Sequence, residues 1–551
     1  MDEDTKQVNS ARRQNDSPIN ERKSPLSFLN IRGKWHRRLA WAGIIVLVFF
    51  LYTFGISHNP PGFYIDESGL SYNAYLVAKT GAGEFGSRFP LFFQFYTGGF
   101  TQYANPTSVY LLALTFWVFG PGILTARLLA AVSVYAASLL LGALAARTSG
   151  KRSIGFIVAL TALITPWLFE VARLMLETFF YPMAVILFLW AVYRAQSKSK
   201  WMWSDCLLVA LTLALLTYSY TIGRLLAPLL ALGLLCFAVS RERLFSVVKT
   251  WFIYGVTLIP LLIFKLQNPD LTTRFYLLTY IKPESTWGEI IVKFISRFLE
   301  DINPLVLIFK GDSNQRHHMP DALGSFYFAT FVLALIGIIV IFVRHRRESW
   351  WWFILFGLAA SVIPGALTVD KFHTLRMIAY PIFLLMLTVP TLKWMLDQPE
   401  KARYGNDQVE HIQSLETNTS PASRNGWELR HVILGFLLTI TLAEASYFHW
   451  KFQQEGGKRG YIFDAAYKEL YDNAVAQPSR PIYLVDNYWG PAYMHSFWYS
   501  TLERRDIKEF VHQPYGVTPP ANVIVLSTER NCTNCEIIKR SGDYLLYKTT
   551  E

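Results

Sequence analysis

Two adjacent acids, Asp66 and Glu67 in "FYIDESGLSYNAYLVAKTG", lie shortly after a strongly apolar run, where a chain leaving a membrane would meet water. Other ionisable residues gather at comparable boundaries. Arg173 and Glu177 in "EVARLMLETFF" are four apart, which predicts a shared helix face. Arg224 follows "YSYTIG", and "KGDSNQRHHMPDALGSFY" brings Asp312, Arg316, His317 and His318. "TVDKFHTLRMIAYP" adds Asp370, His373 and Arg376. Ionisable groups at or within apolar segments cost a few kcal/mol on insertion scales, so they are suspects for function. A carboxylate can take the proton of an acceptor hydroxyl. Arginine matches phosphate with bidentate, charge-assisted bonds. With or without a divalent metal, it would stabilise a departing phosphate. Acids and arginines at a lipid boundary therefore suit transfer of a group from a lipid-linked phosphate, since nucleotide sugars are absent outside a bacterial cytoplasm.

Each cluster also has a plainer reading. "DESGLSYNAYLVAKTG" reads as a helix ending at Gly81, and acids at a helix start are favoured by up to about 1 kcal/mol whatever their chemistry. Arg173 and Glu177 can be a structural ion pair, and Arg224 and Arg376 can snorkel to headgroups. Adjacent histidines such as His317 and His318 do not easily ligate one metal together, so a solvated loop explains them equally. No unambiguous metal-ligand set stands out.

The elements that must position these residues follow from composition. Of 551 residues, 52% are hydrophobic, 16% aromatic and only 17% charged. Apolar runs near 20 residues recur, as a hydrocarbon core of roughly 30 Å requires of a helix. The net charge of +12 is spread in short Lys/Arg clusters between those runs, which is orientation by the positive-inside rule and not nucleic-acid binding. The expected architecture is a polytopic α-helical membrane protein of about eleven spans, with a small C-terminal α/β domain.

The boundaries follow the same pattern. Residues 1–38 form a basic cytoplasmic tail, 39–393 a transmembrane catalytic module, and 394–430 a flexible cytoplasmic linker whose "NTS" would escape glycosylation. The last span is 431–450, and 451–551 is an extracytoplasmic α/β domain with a support or acceptor-docking role. The short run at 106–120 is expected to lie along the interface, since counting it as a span would invert every later loop. The first apolar run is a retained span of the cytoplasmic membrane, not a signal peptide, with the N-terminus inside. Cys206 and Cys236 read as small buried hydrophobes. "CTNC" at Cys532 and Cys535 reads as a local disulfide if this end is outside the cytoplasm.

Three stretches, "IDESGLSYNAYLVAKTGAGEFGSRFPLFF", "NPTSVYLLALTFWVFGPGILTARLLAAV" and "TPWLFEVARLMLETFF", resemble GT-C fold glycosyltransferases in order along the chain. The closest likeness is to bacterial family-39-like members, related to protein O-mannosyltransferases, lipid A aminoarabinose transferases and lipopolysaccharide core transferases. The resemblance covers about 39–390 and implies a polyprenyl-phosphate sugar donor, inversion at the anomeric carbon, and catalysis by the acids of the first outer loop. Here those are Asp66, as general base, and Glu67. It places Arg173, Glu177, Arg224, His373 and Arg376 in matching stretches without assigning individual roles, Arg173, Arg224, His373 and Arg376 being the candidates for holding the donor phosphate, and its metal dependence varies. The acceptor would be an envelope glycan, lipid or protein. Two other classes compete: a polysaccharide ligase or polymerase, and a transporter of lipid-linked sugar.

Overall fold

The computed structural model describes residues 34–95, 101–268, 271–397, 429–488 and 490–550. The expected basic tail, apart from its last few residues, and nearly all of the expected linker with its "NTS" lie outside the described residues. The chain divides into two compact units, Met1–Phe54 and Gly55–Glu551. The described part of the first is one helix, Lys34–Thr53, of 20 residues.

In the second unit the apolar runs are helices. Five helical stretches are long and apolar enough to cross a membrane: Ile123–Ser149, Glu177–Gln196, Arg241–Gln267, Ser349–Ala366 and Leu429–Arg459. Shorter apolar helices include Arg152–Ile164, Trp203–Ser219, Gly223–Phe237, Phe328–Arg344 and Tyr380–Leu396. Ile123–Ser149 rises ~40 Å at 1.5 Å per residue, ample for a hydrocarbon core. The helix Pro106–Phe119, at 14 residues, rises only about 21 Å. Close helix approach relies on small residues, as expected where lipid offers no hydrophobic drive. A Cβ on Gly142 would lie 2.4 Å from the Gly155 carbonyl, and one on Gly155 2.5 Å from that of Gly142. Neither glycine can be enlarged without parting Ile123–Ser149 from Arg152–Ile164.

The segments between these helices are structured. Ile65–Thr80 is a helix, closed at Gly81 as its sequence predicts. Two short strands follow, β1 (Phe93–Phe95) and β2 (Gln102–Ala104), paired antiparallel. The 268–323 region carries the helices Leu271–Leu278 and Trp287–Asp301. Trp287–Asp301 opens with a capping box at Thr286 and exposes Trp287, Ile291, Val292, Ile295 and Leu299.

The C-terminal residues form a five-stranded sheet from β3 (Ile482–Val485), β4 (Phe510–Gln513), β5 (Ile524–Ser527), β6 (Cys535–Ser541) and β7 (Tyr544–Thr549), in the order β4-β3-β5-β7-β6. β3 runs parallel to β4 and β5, while β7 runs antiparallel to β5 and β6. Cys532 and Cys535 are joined as a disulfide. A small apolar cluster of Val485, Val525, Leu545 and Tyr547 belongs to this sheet alone, while the helices Ala465–Ala476 and Tyr493–Glu503 share a larger core with the rest of the chain. Trp498 stacks on Phe63 (5.8 Å) and on Phe116 (5.6 Å), so one apolar core runs from the first loop through Pro106–Phe119 into the C-terminal fold.

Candidate active site

The two adjacent acids are treated in opposite ways. Glu67 is fully buried, and each of its oxygens accepts two hydrogen bonds. Arg127 donates through Nε to Oε1 (3.0 Å) and through an Nη to Oε2 (2.9 Å). The backbone amides of Met175 (3.0 Å) and Tyr64 (3.1 Å) complete the set. Arg127, also fully buried, spends its remaining donors on the carbonyls of Ile56, Pro60 and Gly62. This pair fixes the 56–64 turn against the helix Ile123–Ser149.

Asp66, one residue earlier, accepts no hydrogen bond from any described residue. It is solvent-accessible, yet the surrounding protein removes enough water to raise its carboxyl above the ordinary aspartate range. Asp66 is thus both reachable and desolvated. Arg316 and Arg274 oppose that rise, as does His317, while the negative Asp464 adds to it. The Arg316 guanidinium stacks on the Tyr64 ring at 3.6 Å, which holds it beside the start of the Asp66 helix.

A second group of residues faces the same space. Asp66, Glu177, Arg274 and Arg376 all lie within electrostatic reach of the half-buried Tyr220. Arg224 stacks on Phe92 (5.0 Å) and donates to Asn105 Oδ1 (3.1 Å). Asn105 in turn donates its backbone and side-chain N–H groups to Glu177 (2.5 and 3.1 Å). Arg376 pairs with Asp370 at 2.6 Å.

Arg173 and Glu177 do not share a helix face, contrary to their spacing. The helix Pro166–Val171 ends before them, and Glu177 opens a separate turn, Glu177–Phe180. The Met175 amide bonds to Glu67 of a distant segment, so it does not continue the helical ladder. Arg173 is buried, donates to the Asn59 carbonyl (2.9 Å), and lies against Phe169 and Phe452. It belongs to the packing of the 55–62 turn.

The two adjacent histidines also part company. His318 binds Glu170 (2.8 Å) and the Leu323 carbonyl (2.6 Å). Burial disfavours its charge, but Glu170 outweighs this and raises its pKa. His317 turns to Asp312 (3.1 Å) and packs on His373, ring centroids 4.6 Å apart. Asp312, His317 and His373 each offer a ligand atom, all within 4.8 Å of one another. A ligand set hidden in the sequence is thus assembled from two loops. Asp312 is oriented by the Asn314 amide and by the amide and hydroxyl of Thr374, all at 2.8 Å, as an outer shell orients a ligating carboxylate. His373 Nδ1 is buried with no hydrogen-bond partner among the described residues. Two imidazoles and a carboxylate, one nitrogen unspent, fit a divalent first-row cation.

Sequence reading missed Arg127, Arg274, Asn105, Tyr220 and Asp464. Arg127 carried a usable signal, being a lone cation inside "ILTARLLAAV". The others sit in segments whose meaning depends on distant partners.

Residues 104–266 match the family model described as dolichyl-phosphate-mannose-protein mannosyltransferase. The sequence matches no curated protein. The fold is similar to that of ArnT from Cupriavidus metallidurans bound to undecaprenyl phosphate, at a TM-score of 0.51 and 10% identity, over 94% of this chain and 98% of that one. The apo state of the same protein aligns at a TM-score of 0.53 and 11% identity, over 93% of this chain and 98% of that one. The chain is a helical membrane protein with the GT-C fold of membrane glycosyltransferases, completed by a small C-terminal sheet domain.

Proposed function

We propose that the protein is a membrane glycosyltransferase that moves a sugar from a polyprenyl-phosphate donor to an acceptor hydroxyl. Asp66 acts as the general base at the outer face of the cytoplasmic membrane. The observation that carries this reading is the contrast between the adjacent acids. Glu67 has no lone pair to spare, whereas Asp66 is reachable, accepts no hydrogen bond from the described residues and lies within electrostatic reach of Arg316 and Arg274. The ionised Asp66 takes the proton of the acceptor hydroxyl. The acceptor oxygen bonds to the anomeric carbon as the bond from that carbon to the phosphate oxygen breaks, inverting the configuration and releasing polyprenyl phosphate. Arg274, Arg316, Arg224 and Arg376 supply positive charge for the donor and leaving phosphate. ArnT, whose fold this chain shares, has been crystallised with undecaprenyl phosphate, which supports a lipid-borne donor.

Asp312, His317 and His373 are the residues that would hold a divalent cation, which when bound would act as a Lewis acid toward phosphate oxygen. Glu67, with Arg127, fixes the backbone that presents Asp66, and Arg173 and Glu177 brace the neighbouring turns. The test is transfer of labelled sugar from polyprenyl phosphate by the protein in membranes. Loss of transfer in Asp66→Asn at unchanged expression is expected. Normal transfer by that variant would sink the base assignment, and movement of substrate across sealed vesicles without a new glycosidic bond would indicate transport.

A further inference from the structure

The residues flanking Asp66 are held by the C-terminal sheet domain, from almost the far end of the sequence. Asp464, in a left-handed conformation (φ 54°) just before the helix Ala465–Ala476, accepts the backbone N–H of Ile65 at 3.0 Å. The same carboxylate accepts the Tyr544 hydroxyl (2.8 Å) and faces His495 Nε2 (3.3 Å). His495 is fully buried, and its Nδ1 lies 2.8 Å from the hydroxyl of Ser68, which is also fully buried. Asp464 thus grips the residue before Asp66, and His495 the second residue after it.

The contact is close as well as polar. Gly62 has φ +73°, and a Cβ there would meet the Phe463 carbonyl at 2.2 Å. The turn leading into Asp464 is therefore pressed against the turn leading into Asp66.

We propose that Asp464 and His495 are positioning residues of the active site, through which the C-terminal domain sets the place of Asp66 and the charge around it. This rests on the reading of Asp66 as the base. A carboxylate whose helix start could drift by ~1 Å would lose on the order of 100-fold in rate, so a fixed anchor on each side has catalytic worth. Asp464 also contributes field. Burial acts to raise its own carboxyl, but His495, Tyr544 and the Ile65 amide outweigh this and keep it ionised. The charged and titratable groups within electrostatic reach of Asp66 are then Arg316, Arg274 and His317, which favour its ionisation, Asp464, which opposes it, and the phenols Tyr64 and Tyr220. The negative charge of Asp464 disfavours ionisation of Asp66 and so makes it a stronger proton acceptor once ionised.

The experiment uses the full chain in lipid nanodiscs with a polyprenyl-phosphate sugar donor. It records kcat, KM for donor and the pH profile of kcat/KM for Asp464→Asn, His495→Gln and Ser68→Ala, with Asp66→Asn as reference. Asp464→Asn is expected to lower kcat about 10–100-fold with donor KM little changed. It should also move the acid limb of kcat/KM to lower pH, because the like charge opposing Asp66 is gone. A loss of packing alone would not move that limb. Ser68→Ala removes only a hydroxyl, so it serves should the charged-site variants fail to fold, and a several-fold fall in kcat is expected. Unchanged kcat in Ser68→Ala, or an unmoved acid limb in folded Asp464→Asn, overturns the proposal while an inactive Asp66→Asn leaves the base reading standing. An active Asp66→Asn would instead overturn the base reading itself.

Discussion

Separating the roles of Glu67 and Asp66 requires a perturbation with opposite outcomes at neighbouring positions. Glu67 and Arg127 are both completely buried and joined at 3.0 and 2.9 Å. Removing one partner of such a pair costs about 3–5 kcal/mol, because the other charge stays buried without compensation. Arg127→Met would also strip donors from the carbonyls of Pro60 and Gly62, each worth roughly 1–3 kcal/mol when orphaned. Glu67→Gln keeps the volume but turns an NH2 toward donors that need an acceptor. Each single variant should therefore unfold at markedly lower denaturant in mixed micelles, near the top of that 3–5 kcal/mol range for Arg127→Met. The double variant should cost less than the sum by about 1–3 kcal/mol, since the orphaned charge is then removed. Asp66→Asn should behave the other way. Its folded-state pKa is raised, so the stability linked to it is fully present below the ordinary aspartate pKa of about 3.9 and is lost as pH rises through the folded value. At neutral pH the Asn variant should be at least as stable as the parent, yet inactive. A Glu67→Gln protein with parental stability and no turnover would refute this division of labour and make Glu67 a chemical participant.

Three further outcomes follow from the same geometry. The parent kcat/KM should climb with pH through an acid limb above the usual aspartate range, since Asp66 must be ionised to accept a proton and desolvation by the surrounding protein raises its pKa; a limb near pH 4 would contradict this. Gly62→Ala should lower both stability and kcat, because its methyl would collide with the Phe463 carbonyl at a left-handed backbone position; parental kcat in that variant would show that the C-terminal contact does not matter to turnover. In titration calorimetry the purified chain should bind one zinc ion and His373→Ala none; equal binding by both would remove the Asp312–His317–His373 cluster from consideration.

The sequence made some of this legible and hid the rest for physical reasons. The helix Ile65–Thr80 ending at Gly81 and the apolar helices follow from local pattern, which needs no knowledge of distant residues. Strands β3, β5 and β7 are short runs of mostly buried apolar residues, the kind of local pattern a sequence displays, while β4 and β6 carry more exposed side chains and display none. The 173–177 spacing misled because helix periodicity assumes an unbroken ladder, and a carboxylate from another segment had claimed the Met175 amide. Asp312, His317 and His373 carried no recognisable ligand spacing because His373 arrives on a separate loop. The anchoring of Asp66 by Asp464 spans nearly 400 residues, so no local pattern could disclose it.

In the proposed reaction Asp66 is the base of a sugar transfer from a lipid phosphate. The most direct test of that role is single-turnover transfer of labelled sugar from polyprenyl phosphate by purified parent and Asp66→Asn proteins of equal thermal stability. Bound donor and no transfer are expected in the variant. Transfer at the parental rate would contradict that role.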